Sequence, residues 1–353
     1  MTATLPDPGA AMTASTAGSS DEILLDHGTG AKLSQELVQL IADTLGDVYV
    51  GIMEDSAILP VETGRIAMTT DSFVVDPPFF GNGDIGKIAV CGTVNDLAVA
   101  GSRPKYLTLG LILETGLPID RLKQVLVSIR ETAREAGVQI VGGDTKVVRK
   151  GEADQLYLNT AGVGVFEREP LSMTDVRPGD KVVLSGPIGN HTVHLLSIRE
   201  GLGFEQRVDS DCAPLNNLID GVLDRVPAGA VRSMRDVTRG GLTAVLHEYA
   251  GKLGRTIRVD TPSLPIQHET AMAADMLGIN PLHCANEGCL AVFVDPAAEA
   301  DVLAALRSLP YGEHAVTIGE VSEDTEVLVL LRDADGRETQ LEELLGAELP
   351  RLC

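Results

Sequence analysis

The chain predicts an α/β protein of two domains, and three observations carry that prediction. Short apolar, strand-like runs alternate with amphipathic helical stretches along almost the whole length. The 353 residues suffice for about two domains at the usual ~100–200 residues each. Near the middle, residues 167–180 (EREPLSMTDVRPGD) carry two prolines and acidic residues without apolar periodicity, and the alternation restarts after them. The expected organisation is a disordered lead-in over 1–20, a first domain over 21–168, a second over 169–335, and a C-terminal helix and tail over 336–353.

Each element follows from local pattern. Leu33, Leu37, Leu40, Ile41 and Leu45 form a helical stripe after a glycine-containing turn. Arg65–Val75 reads as a strand stopped by Pro77 and Pro78. Asp84–Ala100 reads as a helix, Tyr106–Leu113 as a strand and Ile119–Ala136 as a helix with Leu122, Val125, Leu126 and Ile129 on one face. VQIVGG and QLYLNTAGVGVF complete the first unit. In the second half KVVL, IRV, LAVFV, VTIGEV and EVLVLLR read as strands among five helical stretches, and GRETQLEELLGAEL reads as a last, acidic helix before Pro350-Arg351-Leu352-Cys353.

Composition excludes several classes. With 28 Lys+Arg against 51 Asp+Glu, a net charge of −23 and 11 aromatic residues, the chain lacks the clustered cations and stacking rings of a nucleic-acid binder. The same sign argues against anionic membrane surfaces, and no apolar run reaches the roughly 18–20 residues of a membrane span. The N-terminus has neither a basic start nor an apolar signal core, so a cytoplasmic location is expected. Five scattered cysteines, Cys91, Cys212, Cys284, Cys289 and Cys353, suit reduced thiols rather than a disulfide framework.

Five aspartates sit beside apolar segments and next to Gly, Thr or Asn: Asp55, Asp71, Asp96, Asp144 and Asp236. Mg²⁺ takes hard oxygen ligands and shares them among carboxylates, water and phosphate, so convergence of these residues would hold a metal-nucleotide. Each alone is equally a helix cap or turn former. Three glycine segments, HGTGAK (27–32), GGD (142–144) and TRGGLTAVL (238–246), offer backbone N–H groups to an anion, although none is a P-loop. HCANEGC (283–289) lacks zinc-ligand spacing, which leaves Glu287 as its notable carboxylate; Lys146 follows GGDT as a cation or proton acceptor. The terminal Cys353 lies beyond a proline on a tail that, peeling away from Gly346, reaches roughly 25 Å at ~3.3–3.6 Å per residue.

These segments together resemble the HypE family of hydrogenase maturation factors. These are carbamoyl dehydratases in the superfamily of aminoimidazole ribonucleotide synthetase, selenophosphate synthetase and thiamine-monophosphate kinase. The resemblance is carried by LLDHGTGAKLS, TTDSFVVDPPFFGNGDIGKIAVCGTVNDLAVAG, GGDTKVV, SGPIGNHTVHLLSIREG, SDCAPLNNLI, MRDVTRGGL, CANEG and the terminal PRLC, so it spans Leu24 to Cys353. It implies a two-domain fold like aminoimidazole ribonucleotide synthetase, with an N-terminal domain dimerising through its sheets, a C-terminal α/β domain and a mobile tail. It implies that the carbamoyltransferase HypF loads a carbamoyl group onto Cys353. ATP with Mg²⁺ then drives its dehydration to a thiocyanate, and the nitrile passes to the HypC–HypD complex as an iron ligand of [NiFe]-hydrogenase.

By the same resemblance Asp55, Asp71, Asp96, Asp144 and Asp236 hold the metal and nucleotide, with Asn95 and Thr145 beside them. Gly28, Gly30 and Lys32 close over the phosphates, and Cys353, Glu287 and Lys146 do the chemistry. Ala31, Asn190 and Thr192 depart from the family pattern, which has Gly, Asp and Gly there. Rival readings are a selenophosphate synthetase-like phosphotransferase, disfavoured because no cysteine precedes Cys91, and a nucleotide-binding thiol carrier without turnover.

Overall fold

The computed structural model describes residues 31–33, 35–36, 57–61, 64–344, 346 and 352. Asp55, Gly28, Gly30 and Cys353 lie outside the described residues, as does the stripe from Leu37 to Leu45; Lys32, Leu33, Gln35 and Glu36 at its start are helical.

The first half contains β1 (Ala57–Val61), β2 (Gly64–Phe73), a two-strand ribbon of β3 (Phe79–Phe80) and β4 (Gly83–Asp84), α1 (Ile85–Val99), β5 (Arg103–Glu114), α2 (Ile119–Ala136), β6 (Gln139–Val148) and β7 (Leu156–Val165). Its sheet runs β1-β2-β7-β5-β6. β5 and β6 are parallel because α2 crosses between them, and the other neighbours are antiparallel. β6 is an edge strand exposed along all but its last residue.

The second half adds β8 (Lys181–Leu184), α3 (Asn190–Glu200), α4 (Asn216–Leu223), β9 (Val231–Asp236), α5 (Gly241–Leu253), β10 (Ile257–Asp260), α6 (His268–Leu277), β11 (Leu290–Val294), α7 (Glu299–Arg307), β12 (Val316–Val321), β13 (Val329–Arg332) and β14 (Glu338–Gln340). The sheet order is β14-β13-β10-β12-β8-β11-β9. β11 is buried throughout, which explains its unbroken apolar run LAVFV.

α1 joins the halves. Its N-cap Asp84 accepts from the N–H groups of Gly86 and Lys87 at 2.8 and 3.0 Å. It packs on β2 and β7 on one side and reaches β9 and α4 on the other, so it is apolar on nearly every face. Asn95 pins it across the junction: its amide donates to Ala213 O at 3.1 Å and accepts from Leu215 N–H at 2.7 Å.

One element differs from expectation. The acidic stretch read as a last helix begins instead as β14, antiparallel to β13 with Leu330 opposite Gln340. Asp333 Oδ1 accepts from Asp335 and Arg337 N–H at 2.9 Å each, turning the chain so that Glu338 meets Arg258 at 2.7 Å. Edge pairing of the backbone, visible only in three dimensions, overrides the helical spacing of the leucines.

Gly241 begins α5 with φ +62°, and an added Cβ would lie 2.5 Å from Leu282 O and 2.7 Å from Cys284 O. Gly241→Ala therefore combines left-handed strain with a backbone clash and should destabilise by about 2–4 kcal/mol. Urea unfolding measures this; a midpoint equal to that of the unsubstituted protein would contradict the close approach.

Candidate active site at the junction of the two halves

Alternation along β2 turns Asp71 toward α1, whereas Ser72 faces solvent. Thr93 on α1 donates to Asp71 Oδ2 at 2.9 Å, and Thr69, on the same face as Asp71, donates to Asp96 Oδ2 at 2.9 Å. From the other half, Asp236 ends β9 opposite Leu290 of β11, and Glu287 lies in the turn leading into β11.

The Glu287 turn is laced to its surroundings by backbone bonds. Asn286 accepts from Gly189 N–H at 2.8 Å and donates to Val237 O and Cys284 O at 3.0 Å each. Glu287 N–H donates to Asp211 Oδ1 at 3.0 Å, and Ala213 N–H donates to Glu287 O at 3.2 Å. A side chain at 288 has no room, since a Cβ there would lie 1.8 Å from Asp211 O. The remaining oxygen, Asp211 Oδ2, is buried without a hydrogen-bond partner.

Charge at this junction is crowded. Burial raises the carboxyl of Asp71, and the neighbouring Asp236 raises it further, against the hydrogen bond from Thr93 and the charge of Arg239. Burial also raises Asp236, opposed by Arg235 and Arg239. Glu287 is held well above the usual carboxylate range by burial first, then by Cys212, Asp211, Asp236 and Asp71. Burial pushes Asp211 up to about 6.

Acidic side chains buried together fit a cation better than they fit each other. Among the described residues no three Asp, Glu, His or Cys side chains are close enough to ligate a metal by themselves. Asp71 and Asp236 suit a Mg²⁺ ion, which characteristically takes one or two carboxylates and completes its shell with water and phosphate oxygens. Among the described residues HCANEGC forms no cluster of metal-binding side chains; Cys284 and Cys289 are buried, and burial pushes the Cys289 thiol up to about 12.

The structure brings Asp71, Asp236 and Glu287 together at this junction, holds Asp96 against Thr69 on the first-half side, and leaves other expected residues apart. Asn95, expected beside a nucleotide, is 3 % exposed and engages the backbone at both ends of its amide. Asp144 lies in a cross-strand row with Gly110, Asn159 and Ser72, on the side of the sheet that Ser72 turns to solvent. Lys146 pairs with Asp144 at 2.7 Å and both side chains are 68 % exposed, so a single chain does not carry Lys146 to Glu287. Thr145 is exposed on the same edge strand, its N–H donating to Asp144 Oδ1 at 2.9 Å. Lys32 N–H donates to Leu344 O at 2.8 Å, tying the end of the N-terminal glycine segment to the approach of the C-terminal tail.

Asp211 and Arg239 were not expected here. Both sit inside motifs read for other features, SDCAPL and TRGGL, and the orphaned Asp211 oxygen has no counterpart in spacing. Asn190 and Thr192 have local explanations: Asn190 Oδ1 accepts from Thr270 at 2.7 Å, and Thr192 donates to Ala285 O at 3.0 Å, bracing the turn before Glu287. A cavity of about 250 Å³ opens beside that turn, lined by Lys87, Asp211, Cys212, Gly288, Tyr311 and His314 among others.

The end of the chain enters the same region. Leu352 is 6 % exposed, in the apolar cluster that includes Phe80, Leu195, Cys212 and Ala285. Its carbonyl oxygen lies 3.3 Å from His191 Nε2.

Two α/β halves with carboxylates at their junction define a class, and the family models agree. "AIR synthase related protein, N-terminal domain" matches residues 53–166, and "AIR synthase related protein, C-terminal domain" matches residues 177–331. Within that class the chain belongs to the HypE family of carbamoyl dehydratases. It is 41 % identical over 340 residues to carbamoyl dehydratase HypE of Escherichia coli K12, covering 94 % of this chain and 100 % of that one. It is 42 % identical over 330 residues to HypE of Azotobacter vinelandii, covering 93 % and 96 %. The crystal structure of E. coli HypE superposes with a TM-score of 0.79 at 41 % identity, covering 91 % of this chain and 100 % of that one. A HypE–HypF complex gives a TM-score of 0.82 at 40 % identity, covering 87 % and 99 %. A HypE structure in complex with ATP gives 0.78 at 40 % identity, covering 94 % and 100 %.

The buried groups predict a measurable pH response in nucleotide-free, chelator-treated protein. Burial lowers His191 from 6.5 to about 4, so the unfolded chain takes that proton first. Acidification from 6.5 through 4 therefore costs up to about 3 kcal/mol of stability from this group. Asp211 acts oppositely: its raised value, about 6 against 3.8, means the folded state protonates first and gains a similar amount as pH falls through 6. Asp211→Asn removes the second contribution. Its melting temperature should exceed that of the unsubstituted protein at pH 7 and fall more steeply toward pH 4; parallel pH profiles would refute the assignment.

Proposed function

We propose that the chain dehydrates a carbamoyl group carried on the thiol of Cys353 to a thiocyanate at the expense of ATP, for the cyanide ligands of [NiFe]-hydrogenase iron. The observation that carries this reading is the burial of Leu352 in the apolar cluster that includes Cys212 and Ala285, the latter two residues before Glu287, because Cys353 is one peptide unit further on. Membership in the HypE family and the HypE–ATP structure support the nucleotide requirement.

The chemistry matches the groups available. Oxide is a poor leaving group, so the carbamoyl oxygen attacks the γ-phosphorus and later departs as phosphate; both N–H protons leave nitrogen as the C≡N bond forms. Asp71 and Asp236, with Asp55, Asp96 and Asp144 as further candidates, would hold Mg²⁺, which when bound would supply charge stabilisation for phosphoryl transfer. Gly28, Gly30 and Lys32 are proposed to cover the phosphates. Glu287 is proposed to take one proton from nitrogen, and Lys146, brought in by a second copy, the other. The held position of Glu287 within the laced turn is what a general base requires.

Lys146, Asp144 and Thr145 enter the proposal through a dimer. The solvent face of the first sheet exposes Met68, Tyr106 and Ile112 at 41–47 %, an apolar surface suited to a second copy. Pairing there would bury Lys146 and Asp144, and their part in the reaction is proposed to depend on it. HypF as carbamoyl donor and HypC–HypD as acceptor complete the reading; the HypE–HypF complex supports the first.

Mass spectrometry of the C-terminal peptide tests the reaction. With a HypF-type transferase, carbamoyl phosphate and Mg-ATP, the peptide should gain a carbamoyl group and then lose one water. A carbamoylated peptide that persists despite ATP hydrolysis would sink the proposal. Glu287→Gln should bind ATP normally and slow water loss by about 10²–10⁴-fold; an unchanged rate would remove Glu287 from the chemistry.

A further inference from the structure

We propose that His191 is a positioning residue that docks the chain's own C-terminal tail, with the bound carbonyl of Leu352 as its target. Two independent anchors meet on Leu352. Its side chain is buried in the cluster that contains Phe80, Leu195, Cys212 and Ala285, and its carbonyl lies 3.3 Å from His191 Nε2. A carbonyl oxygen only accepts, so Nε2 carries the proton. His191 Nδ1 is then the acceptor for the Ser210 hydroxyl at 2.7 Å, and Ser210 Oγ in turn accepts from Cys212 N–H at 3.2 Å.

The ring is set for this one purpose. His191 is completely buried on α3, and Phe80 meets it edge-on with centroids 5.7 Å apart and planes at 89°. Ser210 fixes the tautomer and Phe80 the plane, leaving Nε2–H aimed at the tail. The same Ser210 backbone is braced by Asn82, which donates to Ser210 O at 2.8 Å and accepts from its N–H at 3.2 Å. Ser210, Asp211 and Cys212 are consecutive, so the residue that orients His191 belongs to the segment that holds the Glu287 turn. Docking the tail and positioning the proposed base thus share one strip of backbone.

The docking stands on contacts of Leu352; its consequence for turnover rests on the proposed carrier role of Cys353. Native labelling with N-ethylmaleimide, read by peptide mass spectrometry on the full chain, separates the two. Cys91, Cys212, Cys284 and Cys289 are buried and report fold integrity in the same sample. His191→Ala should raise the Cys353 labelling rate roughly 3–10-fold, the size of one net hydrogen bond. Leu352→Ala should raise it roughly 10–30-fold, through lost apolar burial. The double variant should approach the product of the two increases, up to the rate of a fully free thiol, because both anchors contribute to one docking equilibrium.

His191→Gln, which keeps a donor near the Nε2 position, should restore protection. A native-like His191→Ala protein labelled at the unsubstituted rate would overturn the latch. Should His191→Ala expose the four buried thiols, Ser210→Ala decides: it should accelerate Cys353 labelling alone, and no acceleration counts against the proposal. Because labelling uses no ATP or transferase, a protected tail in a protein that never forms thiocyanate would refute the proposed function and leave the latch standing.

Discussion

Carboxylates buried side by side govern how this molecule is put together. Burial raises the proton affinity of Asp71, Asp211, Asp236 and Glu287. Asp236 adds to the effect at Asp71, and Asp211, Asp236 and Asp71 add to it at Glu287, while Arg235 and the exposed Arg239 oppose it at Asp236. Such a group is tolerated only where hydrogen bonds, counter-charge or a bound cation compensate for lost hydration. The structure supplies the Thr93 hydroxyl to Asp71 on one side and the Glu287 N–H to Asp211 on the other. The residual negative charge is what a metal-nucleotide would neutralise.

The carboxylates come from both halves, so their meeting depends on how the halves join. Asp71 and Asp96 come from β2 and α1, whereas Asp236, Glu287 and Asp211 come from the second half. Amide side chains do much of the joining: Asn95 holds the 213–215 backbone, Asn216 donates to Ala136 O at 2.8 Å, and Asn82 pairs with Ser210. Arg103 and Arg168 add ion pairs to Asp220 at 3.1 and 3.3 Å near the surface. Directional bonds at a junction fix angle and register more firmly than apolar contact does, and a proton acceptor requires both. The tail is handled in the same style, one carbonyl met by one oriented imidazole.

Most strands and helices were legible in the chain because burial imposes period. β2 alternates, β11 is apolar throughout, and α2 carries Leu122, Val125 and Ile129 of its expected stripe, with Leu126 left exposed. The acidic segment near the end misleads: its leucines repeat at helical spacing, yet β13 offers an open edge and Arg258 a partner for Glu338. Asn95 misleads for a different reason. An amide beside an aspartate reads as a ligand, and nothing local announces that a loop more than a hundred residues away requires both of its ends.

By itself the sequence determined the α/β alternation, the division into two halves, the glycines that open α5 and the inventory of carboxylates. These are local or periodic properties, encoded within a turn of helix or a few residues of strand. Only the tertiary structure decided which carboxylates meet. It gathered Asp71, Asp236 and Glu287 with the unheralded Asp211, and it put Lys146 and Asp144 on an edge strand facing solvent. It also brought His191 to the last peptide units of the chain, 161 positions away. Contacts of that span follow from packing one half against the other, and packing is a property of surfaces that no single segment contains.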